Sequence, residues 1–402
     1  MGTDCCVAHR NHRGGPGWSI GNAAEAASVS VGRLAPALVS WLIVVIASIA
    51  KSSTNGSPSD SPTSPSSGLV RARNNTGIAT VLEGSGSGRL LIYYQDTTGS
   101  IMEDSYFDNH WSLDTSSELG PSIIYDSLHT VSALAAVSYA SGGATYRQVF
   151  FINAEGQVMS MLSSSMESDG IANQWNGPSS VSTEPVSAGP NVGLTACNIT
   201  DGAENAGLRV YYGSSSNAIQ EVKLDQFSGW TDGARFSRGD PNSGVACATF
   251  DPISGNDNSI NVYMRNNSGF IEQHHLNIDA INDPDGSPDV GTNWNVSATA
   301  WGNLTVLSGS NIAACNDNEA YEYVFFKSDD GMINRGRLDL TNPGNFASFD
   351  TVQNRTWNTK LSATYAEGNV TLLFQNSSSG GESLWTATVP NAESGNSTAI
   401  VT

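Results

Sequence analysis

Positive charge is what this sequence lacks. Its 18 Lys and Arg stand against 38 Asp and Glu, for a formal net charge of −20 over 402 residues. That balance argues against partners gripped through phosphates, so nucleic acid and anionic membrane surfaces are not expected ligands. Lys and Glu are scarce, whereas Ser, Thr, Asn and Gly abound. Such a mixture disfavours long helices and suits strands joined by turns, which points to an all-β protein. Length leaves the domain count open, because an all-β barrel or propeller can occupy a whole chain of this size as one unit.

Long apolar runs are also missing, with one exception. Residues 34 to 50, "LAPALVSWLIVVIASIA", carry no charge. As a helix rising about 1.5 Å per residue they would nearly span a bilayer core of about 30 Å. The segment reads as a transmembrane signal anchor, with the h-region of a signal peptide cut near Ala50 as the alternative. Flanking charge leaves orientation open, since Arg33 and Lys51 balance each other. Glycosylation sequons point one way: Asn55, Asn74, Asn198, Asn266, Asn295, Asn303, Asn354, Asn369, Asn376 and Asn396 all follow the run. They imply a lumenal or extracellular C-terminal part, and hence a single-pass membrane glycoprotein or a secreted one. Residues 1–33 lack periodicity and read as a disordered tail, in which Cys5 and Cys6 are expected to be free thiols. Residues 51–68, "KSSTNGSPSDSPTSPSSG", have the composition of an extended stalk.

From residue 69 to 402 the chain repeats itself. A short strand of small apolar residues recurs as "GIATV", "ALAAV", "GLTAC", "GVACA", "NIAAC" and "KLSAT". Between their last residues, Val81, Val137, Cys197, Ala248, Cys315 and Thr364, the steps run from 49 to 67 residues. A second strand follows each ("LLIYYQD", "QVFFINA", "RVYYGSS", "NVYMRNN", "YVFFKSD", "TLLFQNS"), then a polar turn and a third strand. Trp111, Trp175, Trp230, Trp294 and Trp357 mark where a fourth strand should begin, and the sixth unit lacks this Trp. Six such units predict a six-bladed β-propeller of about four antiparallel strands per blade. The alanine-rich strand is innermost, because blades crowd at the axis. The ring is expected to close with residues 68–73, "GLVRAR", in preference to the C-terminal "STAIVT". Cys197, Cys247 and Cys315 fall on the inner strands of successive units and read as small buried hydrophobes, since equivalent positions should be too far apart for a disulfide.

The third unit carries the chemistry. In "LRVYYGSSSNAIQE", residues 208–221, Arg209 precedes a β-branched and aromatic strand, and Glu221 lies beyond the turn, with Trp230 further on. Repeated behind an alanine-rich strand, this pattern resembles the fungal fucose-specific lectins, six-bladed propellers. The resemblance covers residues 69–402. It implies binding of L-fucose or fucosylated glycans between blades, with Arg and Glu on the sugar hydroxyls and Trp or Tyr on its apolar face, and with no cofactor. The chemistry is sound from first principles: fucose is neutral, so affinity needs charge-assisted hydrogen bonds and one apolar contact. A plain cross-strand ion pair is the alternative reading of Arg209 and Glu221.

On that resemblance Arg209, Glu221 and Trp230 form the best site. The first unit keeps Glu103, Tyr106 and Trp111, has Leu91 at the Arg position and offers Arg89 two residues earlier. The fourth has Asn261 and Gln273, a neutral and weaker pair. The second (Gln148, Ser160), fifth (Tyr323, Arg335) and sixth (Thr371) read as degenerate. Two other classes compete: a cell-surface scaffold for protein interactions that has lost sugar binding, and a propeller glycoside hydrolase. The second is disfavoured, because no paired acids recur near the inner strands and "KSDDGMI" lacks the Trp of an Asp-box. "DPDGSPD", residues 283–289, reads as a solvated loop, and adjacent His274 and His275 should point to opposite faces, so no metal is expected. Dimerisation is left open by the sequence.

Overall fold

The computed structural model describes residues between Ala72 and Val401, with the longest breaks at 113–127, 166–174, 251–258, 278–294, 376–383 and 391–399. The chain divides into Met1–Ser64 and Pro65–Thr402, and the described residues belong to the second unit. The tail, the apolar run 34–50 and the stalk 51–68 lie outside them, as do Trp294 and Trp357. Among the described residues no helix is long and apolar enough to cross a membrane.

Every regular element in the described residues is a strand, and the strands form six four-stranded antiparallel sheets, each built from consecutive segments. Their first strands are Ile78–Leu82, Leu134–Ser141, Leu194–Asp201, Val245–Phe250, Ile312–Asn316 and Leu361–Ala366. Each touches the first strand of the next sheet, and the sixth returns to the first, so the sheets radiate from a common axis as an all-β propeller. The approach is close. A Cβ on Gly193 or Gly244 would collide with backbone of the next sheet, at Ser243 and Val245 or at Asn311 and Ile312. At these two positions only glycine fits, and the crowding of the first strands accords with the small residues of the repeats.

The second strands are the most apolar and are sandwiched on both faces. In Leu90–Gln95 every residue is buried, and Tyr93, Phe150, Tyr211, Tyr263 and Phe325 occupy matching places at 0% exposure. Burying one such ring contributes about 1.5–3 kcal/mol. Alternation then divides each sheet: in the third, Val210, Tyr212 and Val222 pack on Phe150 of the second, whereas Tyr211 and Ile219 pack on Ile260 and Val262 of the fourth. The turn between Tyr212 and Ile219 is made by Asn217 in the left-handed region (φ 61°), where Asn is tolerated.

Two expectations need correction. Cys197 and Cys247 form a disulfide, because the crowding that demands glycine and alanine also brings their Cα atoms to 6.1 Å. Cys315 is free. Nor does the N-terminal segment supply the outer strand of the sixth sheet. That strand is Ile400–Val401, paired with Leu384–Pro390, while Ala72 bridges Asp96 of the first sheet. The first and sixth sheets are joined instead by Thr80 Oγ1 and Ser362 Oγ (2.8 Å) and by Gln375 Nε2 donating to the Arg73 carbonyl (2.7 Å).

Candidate functional site

Arg209 and Glu221 share one face of the third sheet. Tyr211 lies opposite Glu221 and Arg209 opposite Lys223, so the ion pair is a diagonal one, with Nε 3.6 Å from Oε1. A register shift between the third and fourth strands sets two residues, Gly233 and Ala234, against Glu221. This bulge aims the Ala234 N–H at Glu221 Oε2 (2.6 Å), and the Tyr211 hydroxyl donates to Oε1 (3.0 Å). A Cβ on Gly233 would strike the carboxylate, hence the glycine. Glu221 is 0% exposed and Arg209 6%. Burial and, next, the Glu221 charge hold the Tyr211 phenol well above its usual range. Each ion costs several kcal/mol to desolvate, and these hydrogen bonds offset that cost.

Trp230 is not part of this arrangement. It lies opposite Leu224, on the other face of the sheet, and its ring meets Phe150 of the second sheet edge-on at 5.8 Å. The expected triad is therefore divided between two clefts. The reason is the two-residue period of a strand combined with the bulge.

Between the first and second sheets the same residue types do converge. Glu103, opposite Tyr93, accepts the Tyr93 hydroxyl on Oε2 (2.8 Å). Its other oxygen is held by Arg147 Nη1 of the second sheet, at 3.1 Å. The Arg147 guanidinium lies 5.9 Å from the Trp175 ring centroid, and Trp175 meets Tyr93 edge-on at 6.0 Å. Arg147 Nη2 is buried and has no hydrogen-bond partner among the described residues. The Glu103 side chain is 14% exposed. Arg89, the sequence candidate for this position, turns instead to Glu83 (3.4 Å) and Ser105 (3.0 Å). Tyr106 and Trp111 pair with each other and register with Leu90, out of step with Glu103; their side chains lie outside the described residues.

Sequence reasoning missed Arg147 and Trp175, having taken Gln148 as the residue equivalent to Arg209. The available signal was alternation: the neighbour of an outward-facing position faces the preceding sheet, so carboxylate and guanidinium can come from different blades. Trp175 follows the same rule, since it lies opposite Ser163 and packs with the first sheet.

Asn261 and Gln273 are in contact, Gln273 Nε2 donating to Asn261 Oδ1 at 3.0 Å, but in a closed network. The Trp301 indole donates to Gln273 Oε1 (3.0 Å), His275 Nδ1 meets Asn261 Oδ1 (2.9 Å), and Asn261 Nδ2 donates to Glu322 Oε2 of the fifth sheet (2.6 Å). Burial raises the Glu322 carboxyl to about 8. His274 faces the other way, onto Glu272 (2.9 Å) and Phe236. In the fifth sheet Arg335 is committed to Asp350 through Nε (3.0 Å) and Nη2 (2.6 Å). No group of three or more His, Cys, Asp or Glu among the described residues could hold a metal, and residues 283–289 lie outside them.

No protein-family model and no curated protein matches the chain. Solved structures do. The fucose-specific lectin from Aleuria aurantia, in its mercury-derivative form, superposes with a TM-score of 0.59 at 19% identity, covering 83% of this chain and 96% of its own. SapL1 lectin, solved with α-methyl fucoside, gives 0.58 at 16%, covering 82% and 96%. AofleA from Arthrobotrys oligospora gives 0.60 at 12%, covering 82% and 87%. The chain has the fold of the fucose-specific lectins. At such identities the lectin fold fixes the arrangement of sheets and the clefts between them, whereas the chemistry of each cleft follows from this chain's own side chains.

Proposed function

We propose that the chain is a lectin that recognises L-fucose or fucosylated glycans in the cleft between the first two of its six blades. The observation that carries the reading is the unspent Arg147 Nη2 donor beside the Glu103 carboxylate and the Trp175 indole. Together they offer a sugar a donor, an acceptor and an apolar ring. A neutral ligand would use Arg147 and Glu103 without leaving a charge unpaired, because the two neutralise each other in its absence. Arg209 and Glu221 are a second position of the same chemistry, closed by the full burial of Glu221; both guanidiniums are buried, and the difference lies in Glu103, whose side chain stays 14% exposed. The remaining clefts are degenerate, and binding needs no cofactor and involves no catalysis. In this reading residues 34–50 anchor the propeller and 51–68 hold it away from a membrane.

Calorimetric titration of L-fucose into the full chain tests this. Saturable heat is expected, abolished in Glu103→Gln and Arg147→Met and retained in Arg209→Ala. Loss in Arg209→Ala alone would move the site to the third blade. No heat from fucose or fucosylated oligosaccharides would sink the lectin reading. It would favour a scaffold for protein contacts.

A further inference from the structure

The cleft between the fifth and sixth sheets reverses the charge pattern of the first. In the first and third sheets Glu103 and Glu221 stand opposite Tyr93 and Tyr211, and the matching place opposite Phe325 is held by Arg335. Arg337 lies on the same face, because Ile333 of this strand packs with Tyr323 and Phe325 against Leu361 and Val370 of the sixth sheet. The two arginines are used differently. Arg335 spends Nε and Nη2 on Asp350. The partly buried Arg337 has its guanidinium carbon 4.3 Å from the Tyr321 ring centroid, and its Nε is buried with no hydrogen-bond partner among the described residues. No described carboxylate pairs with it. The neighbouring Asp317 is already engaged: Oδ1 accepts the backbone N–H of Glu319 (3.0 Å), Ala320 (2.8 Å) and Tyr321 (2.8 Å), and the Tyr323 hydroxyl lies 3.4 Å from Oδ2. Tyr365 of the sixth sheet packs partly buried against the same cluster, and its phenol and both guanidiniums act on that of Tyr323. A ring beneath a guanidinium holds it in place and supplies no acceptor for its N–H groups. A cation so fixed, with a buried donor unspent, is arranged for an acceptor from outside the chain.

We propose that the cleft between the fifth and sixth sheets binds an acidic sugar, its carboxylate on the Arg337 guanidinium and its ring against Tyr365. A planar carboxylate meets the guanidinium fork edge to edge, and at Arg337 it has no paired acid to displace. Tyr365 offers the sugar an apolar surface that a small inorganic anion would leave unused. A neutral sugar fits less well, because the place of the Glu103 acceptor is taken here by a cation. The site stands apart from the fucose reading, since Arg337 and Glu103 belong to different sheets and share no partner.

Ligand-observed NMR with the full chain at neutral pH and constant ionic strength tests this, using methyl glycosides of glucuronic acid and of N-acetylneuraminic acid as probes. Methyl glucoside, in which a hydroxymethyl group replaces the carboxylate of the glucuronide, and inorganic sulfate are the comparators. Saturable binding of at least one acid is expected, at least tenfold tighter than that of the glucoside and weakened at least tenfold in Arg337→Met. Arg337→Lys keeps the charge and loses the fork, so severalfold weakening in that variant tests the proposal even if Arg337→Met misfolds. L-fucose should not displace the probe, and any heat from fucose should persist in Arg337→Met, so the two sites can fail separately. Non-saturating signals from both acids, equal affinity for the glucoside, binding unchanged in both variants, equal competition by sulfate, or displacement by L-fucose would each overturn it.

Discussion

At the residue scale, Glu322 shows how far burial can change the charge state of a side chain. Burial raises its carboxyl from an ordinary value near 4.5 to about 8, against the opposing pull of the Asn261 hydrogen bond. Between these values the folded chain holds a proton that the unfolded chain has lost, so stability falls as pH rises from about 4.5 to 8. A carboxyl displaced by one pH unit contributes about 1.4 kcal/mol to that fall. Glu322→Gln keeps an acceptor for Asn261 and cannot ionise. It should flatten the decline in urea midpoint between pH 5 and pH 8 and be more stable than the parent at pH 8 by up to a few kcal/mol. Gly233→Ala acts through geometry instead. The added methyl meets the Glu221 carboxylate, and overpacking of this kind costs about 1–3 kcal/mol, readable as a lowered urea midpoint. The spacing of Arg209 and Glu221 was legible in the sequence because a hairpin register follows from a turn and an alternating pattern. The bulge that puts Ala234 on Glu221 and leaves Trp230 on the far face was not, since a one-residue slip has no compositional mark.

Among the elements, the inner strands were the most legible and also the source of the clearest error. Their alanines and glycines announced crowding, yet the same crowding brings Cys197 of one first strand to 6.1 Å from Cys247 of the next. Reading the residues as small hydrophobes treated the axis as wide, when Gly193 and Gly244 already showed that adjacent strands nearly touch there. The bond closes a loop over a sequence separation of 50 residues, for which chain entropy predicts about 4 kcal/mol of stabilisation. The double variant Cys197→Ala/Cys247→Ala should unfold at markedly lower urea than the parent. Reductant should lower the parent to nearly that level and leave the variant unmoved. An unchanged midpoint on reduction would show that packing of the glycine-flanked strands already fixes their separation.

For the whole molecule, the repeated four-stranded unit and the antiparallel propeller followed from spacing, because each unit must bury both faces of its second strand and does so only by stacking on neighbours. Closure did not follow, since the sixth unit is short and two termini competed for one edge; the C-terminal pair Ile400–Val401 takes it. The same comparison of units decides how such a chain would act as a lectin. Matching polar positions hold Glu103 with Arg147, buried Glu221 with Arg209, a satisfied amide network at Gln273, and Arg335 bound to Asp350. If the proposed site at Glu103 and Arg147 is the one that works, the expected stoichiometry is about one fucose per chain, and free chains should dissociate quickly from a glycan surface. If residues 34–50 anchor the chain as proposed, several chains in one bilayer would bind as a multivalent array, gaining roughly 10²–10⁴ in apparent affinity with no new contact. Retention on a fucosylated chip should therefore rise steeply with the number of chains per vesicle, and much less for chains in solution at equal concentration. Slow release by dilute single chains would show instead that further clefts are open, and would return the second site to Arg209 and Glu221.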